Sequence, residues 1–318
     1  MKIVDAAMTR RQLEFGTLID ALRTMFVEGC EVPQRHVHPI ADARGAPAGT
    51  VLVMPAWRAG QRFGLKTVMI FPGNGARGLP ALHSTYLLYD ANTGEPLAQL
   101  DGDQITTRRT AAAAALAASY LARPDARRLL VVGAGRVARL LPEAMRSVRP
   151  IDEVIVWNHR RENADRLAAE LRASGIAAQA SGDLAASVAA ADIVSCATLS
   201  TAALIEARWL APGTHLDLIG SFTPQMREAD AGCFERARVF VDTDEALARS
   251  GDLLSAVAEG GFTPAALQGT LADLCAGRCA GRTNAGEITL FKAVGSALED
   301  LAAAELVFDR LPSQPVGA

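Results

Sequence analysis

From residue 8 to residue 29 (MTRRQLEFGTLIDALRTMFVEG) apolar side chains recur every three to four positions, which predicts a helix with Thr9 as its cap. From about residue 35 to 101 the period shortens to that of strands. TVLVMPAW, FGLKTVMIF, HSTYLLYD and PLAQL are short β-like runs, separated by turn-forming FPGNG and DANTGEP, and predict an antiparallel meander. Residues 106–122 return to a helical pattern, which ARPDARR ends. From Arg128 apolar strand runs alternate with helical ones: LLVVG, RVARLLPEAMRSV, EVIVW, RENADRLAAELRAS, a short strand near Ala177, GDLAASVAAA and DIVSCAT. THLDLIG and RVFVD add further strands, and a last long helix is predicted from about Thr289 to Phe308. Strand–helix alternation of this kind builds right-handed βαβ units on a parallel sheet, so the predicted class is α/β.

Composition changes this picture little. The 318 residues suffice for one large domain or two ordinary ones. Half of them are hydrophobic, 21% are charged and the net charge is -3, which argues against a nucleic-acid binder or a polybasic membrane protein. The alanine-rich run after Thr110 is too short to span a bilayer, and MKIVDAAMTRRQLEFG has no apolar core, so neither an anchor nor a signal peptide is expected. Five scattered cysteines point to a reducing, cytoplasmic setting rather than a disulfide framework. Cys275 and Cys279 are expected one helical turn apart, and His36 and His38 on one side of a strand. Neither pair has further ligands nearby, so no metal is expected.

The stretch VVGAGRVA places Gly133, Gly135 and Ala138 in a G-x-G-x-x-A pattern, after an apolar strand and before a helical run. The first glycine permits the tight turn, the second leaves room for a pyrophosphate and the small third residue lets helix and strand approach. Arg136 and Val137 are the intervening candidates for phosphate contact through free backbone N–H groups. NAD enzymes of this type carry an acid about 20 residues on, for the ribose 2′-OH. Here Asn158, His159, Arg160 and Arg161 stand in its place. An amide and guanidinium groups can donate to a 2′-phosphate that a carboxylate would repel, which favours NADP(H) over NAD(H).

The chain resembles the ornithine cyclodeaminase/mu-crystallin family over nearly its whole length. The resemblance is carried by LVMPAW followed by GLKTV, by LLYDANTGEPLAQLDGDQITTRRTAAAAALAASYLA, by VVGAGRVA, by VWNHRRENA and by ITLFKAVGSALEDLAAA. It implies a Rossmann NAD(P)-binding domain, residues 116–292, beside an α+β substrate-binding and dimerisation domain, residues 1–115 with 293–318, in a homodimer. It also implies that Arg35, Lys66 and Arg109 bind the substrate carboxylate, Arg109 being preferred to Arg108 because it directly precedes the TAAAA run. By the same resemblance Thr85, Arg109, Thr198, Ile219, Gly220, Ser221 and Lys292 are expected against the cofactor.

The sequence also departs from the family's cyclodeaminases. Where those carry a catalytic Asp this chain has Phe222, and where they carry a Glu that holds the substrate amine it has Leu52. Cyclodeamination needs a carboxylate to steer or deprotonate an ammonium group. Without both acids the expected pocket is apolar with a cationic lining, Phe222 included, and suits an uncharged ring with one carboxylate. The implied activity is NAD(P)H-dependent reduction of a cyclic ketimine carboxylate such as Δ1-pyrroline-2-carboxylate. Lys66 either shares the clamp or helps to keep the imine protonated. Ornithine cyclodeamination, an alanine-type dehydrogenation and an NADPH-organised binding protein without activity are the alternatives. Asp217, in the apolar strand LDLIG, is a candidate displaced acid.

Overall fold

The computed structural model describes residues 1–312; the end of the expected substrate domain, 313–318, lies outside the described residues. The chain divides into two compact units, Met1–Arg109 with the segment from Ser296 on, and Thr110–Gly295.

The first unit is built on β1 (Lys2–Val4), β2 (His36–Ala41), β3 (Pro47–Trp57), β4 (Arg62–Ile70), β5 (Leu82–Asp90) and β6 (Pro96–Asp101). They form one sheet in the order β1-β6-β5-β4-β3-β2, in which β2 to β6 are an antiparallel meander and β1 joins β6 in parallel. Side chains alternate between faces along each strand. Met54, Ala56, Lys66, Val68, Tyr86, Leu88, Ala98 and Leu100 are therefore buried on the inner face, where the helix Ala297–Asp309 packs. The outer face carries Trp57, Phe63, Leu65, Met69, Leu87 and Tyr89, all half-buried.

The helix expected over 8–29 is two helices, Ala6–Gln12 and Phe15–Glu28. Thr9 is not a cap but a buried residue inside the first; Asp5 caps it by accepting from the Met8 N–H at 2.7 Å. The break falls at Leu13, whose side chain is wholly buried and whose carbonyl accepts from Arg108 Nε at 2.6 Å.

The second unit holds β7 (Arg128–Val132), β8 (Glu153–Trp157), β9 (Ala178–Ala180), β10 (Ile193–Cys196), β11 (His215–Leu218), β12 (Ala237–Val241), β13 (Gly269–Thr270) and β14 (Ile288–Lys292). All pair in parallel, in the order β13-β12-β14-β11-β10-β7-β8-β9. Counted from β9, the first three strands run third-second-first and the next two fourth-fifth, the dinucleotide-binding order with its switch point between β7 and β10. The α/β class and the Rossmann-like unit are those that the strand–helix alternation predicts.

Three expectations fail at element ends. ITLFK, expected as the start of the last helix, is β14, and the helix begins only at Ala297, after the Ser296 cap. The helix expected from Arg136 begins at Leu141; residues 136–140 are turns. Cys275 ends its helix and Cys279 lies beyond it, so the two do not share a turn.

The units also divide at Arg109 and Ser296 rather than after 115 and before 293. The helix Gly102–Leu121 runs unbroken through the first division, so no pattern change marks it. Residues 293–295 belong to the nucleotide unit because their N–H groups bond Leu218 and Asp242.

Candidate active site

In the first unit Lys66 sits mid-strand on β4, opposite Met54 on β3 and Tyr86 on β5. It is 1% exposed. Its Nζ lies 2.6 Å from Asp300 Oδ2, while Asp300 Oδ1 accepts from Arg109 Nε at 2.8 Å. Glu299 Oε2 accepts from Arg109 Nη1 at 2.7 Å, and both acids are fully buried. Ser296 caps the helix that carries them, so they occupy its first turn, where the helix dipole favours carboxylates.

Burial pushes the Lys66 ammonium down to about 8; Asp300 opposes that shift, while Arg109 and Arg35 reinforce it. Burial also disfavours charge on Arg109, but Asp300 and Glu299 outweigh it and hold the guanidinium firmly protonated. Asp300 is held below the usual carboxylate range, since Lys66 and Arg109 overcome its burial.

The expected acid-free lining is therefore corrected. Two carboxylates that the sequence reading passed over, Glu299 and Asp300, are the direct partners of its two principal cations. Arg35, just before β2, is half-buried and its charge bears on Lys66. Leu52 lies on the inner face of β3, the Lys66 side, where an acid in its place would share that face. Arg108 is occupied elsewhere, on the Leu13 carbonyl and over the Phe15 ring at 4.2 Å.

Thr85 is not brought to this cluster. Strand alternation sends it to the outer face, into a hollow of about 260 Å³ lined also by Thr67, Met69, His83 and Asp101. Its neighbour Ser84 occupies the Lys66 face. Tyr86 also points inward, with its hydroxyl over the bare Cα of Gly64, and finds no hydrogen-bond partner among the described residues. His36 and His38 stack at 6.2 Å on exposed β2, and no metal-holding group of three or more His, Cys, Asp or Glu exists among the described residues.

In the second unit the glycine turn leaves β7 at the switch point. Gly133 adopts φ +120°, and a Cβ there would lie 2.6 Å from the Ala197 carbonyl. A Cβ on Gly135 would meet nothing within 4 Å, so that backbone is open to a ligand. Arg136 is exposed, Val137 half-buried and Ala138 buried. After β8 the Asn158 side chain accepts from the Arg160 N–H at 3.0 Å, and His159 and Arg160 are exposed. Arg161 is turned back to Asp165 at 2.9 Å and to the Ala180 carbonyl.

Thr198 and Gly220, at the ends of β10 and β11, are tied together by a residue outside the expected set, with Ile219 and Ser221 on either side of Gly220. Glu228 accepts from Thr198 N–H (2.7 Å), the Thr198 hydroxyl (2.8 Å) and Gly220 N–H (2.8 Å). Its own segment is fixed by Asp252, which accepts from the Glu228 and Ala229 N–H groups. Burial raises the Glu228 carboxyl to about 7.

Lys292, expected against the cofactor, is the wholly buried last residue of β14 and pairs with Asp252 at 3.2 Å. Asp217 is likewise inaccessible: it accepts from the Ser195 hydroxyl, and burial lifts it to about 7. Phe222 is partly buried against the apolar core of this unit. The switch-point turn, the open Gly135 and the Thr198–Gly220 rim fit a dinucleotide.

Fold and site together define a two-unit α/β protein, one unit a dinucleotide-binding fold and the other carrying a buried cation–carboxylate cluster. The chain belongs to the ornithine cyclodeaminase/mu-crystallin family, whose model matches residues 6–314. It is similar to an uncharacterized Schizosaccharomyces pombe protein, 48% identical over 302 residues, covering 92% of each chain. It is also 40% identical over 298 residues to the Delta(1)-pyrroline-2-carboxylate reductase of Paracoccus denitrificans, covering 93% of this chain and 92% of that one. Among solved structures, the Thermococcus litoralis Delta(1)-pyrroline-2-carboxylate reductase in complex with NADH and L-proline superposes with a TM-score of 0.90 at 31% identity, covering 97% of both chains.

Proposed function

We propose that the protein is an NAD(P)H-dependent reductase that converts a cyclic ketimine carboxylate of the Δ1-pyrroline-2-carboxylate type to the cyclic amino acid. The observation that carries this reading is the buried cluster in which Asp300 and Glu299 are already engaged by Lys66 and Arg109. The remaining N–H donors of the two cations suit a substrate carboxylate. A diamine needs a further acid for its second ammonium, and at Leu52 and Phe222, the positions of the cyclodeaminase acids, this chain has apolar residues. The pyrroline-carboxylate reductases among the relatives support the same choice.

In this reading Arg35 and Arg109 hold the substrate carboxylate and so fix the ring, which is most of what the protein contributes to such a reduction. Lys66 keeps a proton at the imine nitrogen. A reduced nicotinamide, when bound, supplies the two-electron reduction of the C=N bond. Gly133, Gly135, Arg136 and Val137 receive its pyrophosphate, and Thr198, Ile219, Gly220 and Ser221 line its nicotinamide end. Asn158, His159 and Arg160 read the ribose and favour NADP(H), with NAD(H) the alternative. The apolar outer face of the six-stranded sheet pairs with a second copy of the chain.

The test is loss of reduced-nicotinamide absorbance with five- and six-membered ketimine carboxylates, run with both NADPH and NADH and with ornithine in parallel. The expected result is turnover of a ketimine. Arg109→Ala should lower kcat/KM by about 10²-fold or more while leaving nucleotide binding partly intact. Ammonia release from ornithine without added reductant would sink the reading.

A further inference from the structure

We propose that Asp300 is a positioning residue whose carboxylate binds Lys66 and Arg109 into one unit and holds Lys66 in the ammonium form that imine reduction uses. This deepens the ketimine-reductase reading and rests on it. The two oxygens of Asp300 take different cations, Oδ2 the Lys66 ammonium at 2.6 Å and Oδ1 the Arg109 Nε at 2.8 Å. Glu299 takes Arg109 Nη1 at 2.7 Å. A guanidinium has five N–H donors and an ammonium three. The acids thus fix both side chains by a minority of their donors and leave the rest for a substrate.

The partition is asymmetric: Asp300 takes both cations, one on each oxygen, whereas Glu299 Oε2 takes Arg109 Nη1. The charged and titratable groups facing Lys66 come from several elements. Asp300 comes from the helix Ala297–Asp309, Arg109 from the helix Gly102–Leu121 and Arg35 from the segment before β2. Tyr86 stands opposite on β5, and burial, reinforced by Asp300, Glu305 and Cys30, keeps its phenol protonated.

Of these groups only Asp300 favours a charged lysine. Burial and both arginines work against it, and the balance falls at about 8. In the reduction, the proton taken up by the imine nitrogen comes from Lys66 Nζ, which recovers it from solvent water. Loss of Asp300 removes the group that opposes burial most, so Lys66 gives up its proton at lower pH and the step loses its donor there.

The full-length protein is assayed for the pH dependence of kcat/KM with the ketimine. In parallel, calorimetry follows binding of pyrrole-2-carboxylate, a monoanion whose ring nitrogen does not titrate in this range. Both profiles should fall above about pH 8 in the wild type. In Asp300→Asn the fall should move to lower pH by about 1 to 3 units, the size of effect a close opposite charge has. Glu299→Gln should weaken binding without moving it. Asp300→Glu keeps the charge and should leave the fall near its wild-type position even if kcat drops; it also serves if the Asn variant does not fold.

An unmoved fall in Asp300→Asn, an equal shift in Asp300→Glu, or a flat wild-type binding profile from about pH 7 to 10 overturns the proposal. Absence of ketimine turnover in the wild type would instead overturn the functional reading, and the binding profile would still test Asp300.

Discussion

Gly133 and Gly135 have the same place in the motif and opposite demands on the backbone. At Gly133, φ is +120° and a Cβ would press on the Ala197 carbonyl, while at Gly135 the space is open. Gly133→Ala should therefore destabilise the protein by about 1–3 kcal/mol, read as a lower urea midpoint with an unchanged m-value. Gly135→Ala should leave the midpoint in place and weaken nucleotide binding alone. Equal midpoints for both variants would refute the steric account. These glycines were legible in the sequence because their constraint is local, set by a turn within one βαβ unit. Glu299 and Asp300 were not, since acids in the first turn of a helix are what any helix favours, and only the fold brings Lys66 and Arg109 to them.

Elements were legible where turn residues bound them and failed where one apolar pattern runs on into the next. The parallel strands and the meander stand out because each is bounded by turn residues. ITLFK, five apolar-rich residues running straight on toward a helix, fits a helical start as well as a buried strand. Its burial on both faces, between β11 and β12, is what decides, and that is a property of the sheet. The ends of β10 and β11 depend on a similar long-range tie. Glu228 receives three donors from Thr198 and Gly220, and a Cβ at Gly220 would run into both Glu228 and the Thr198 backbone. Glu228→Gln keeps the shape but puts an NH₂ against one of those donors. The variant should lose about 1–3 kcal/mol of stability and raise KM for the nucleotide more than KM for the ketimine. Urea denaturation and initial rates measure the two effects. If both KM values rise together, the carboxylate does not act through the nucleotide rim.

At the scale of the whole molecule, the helix Ala297–Asp309 packs on one face of the six-stranded sheet. The other presents Trp57 stacked on Phe63 at 5.9 Å and Phe63 edge-on to Tyr89 at 5.9 Å, around a hollow of about 400 Å³. Continuous half-exposed aromatic surface of this kind is uncommon on a monomer and marks a contact surface. A twofold interface uses the same patch on both copies, so one substitution acts twice. Phe63→Asp places two buried charges in such a contact with no cation named for them. Sedimentation velocity should therefore show the wild type as a dimer and the variant as a monomer at micromolar concentration. Its far-UV circular dichroism should be unchanged, because Phe63 points away from the inner core. A wild type that sediments as a monomer would mean that this face is covered by something else. A variant that stays dimeric would place the contact elsewhere on the chain. Loss of the dimer should leave the Lys66–Asp300–Arg109 cluster intact, since every group in it comes from one chain and lies on the opposite face of the sheet.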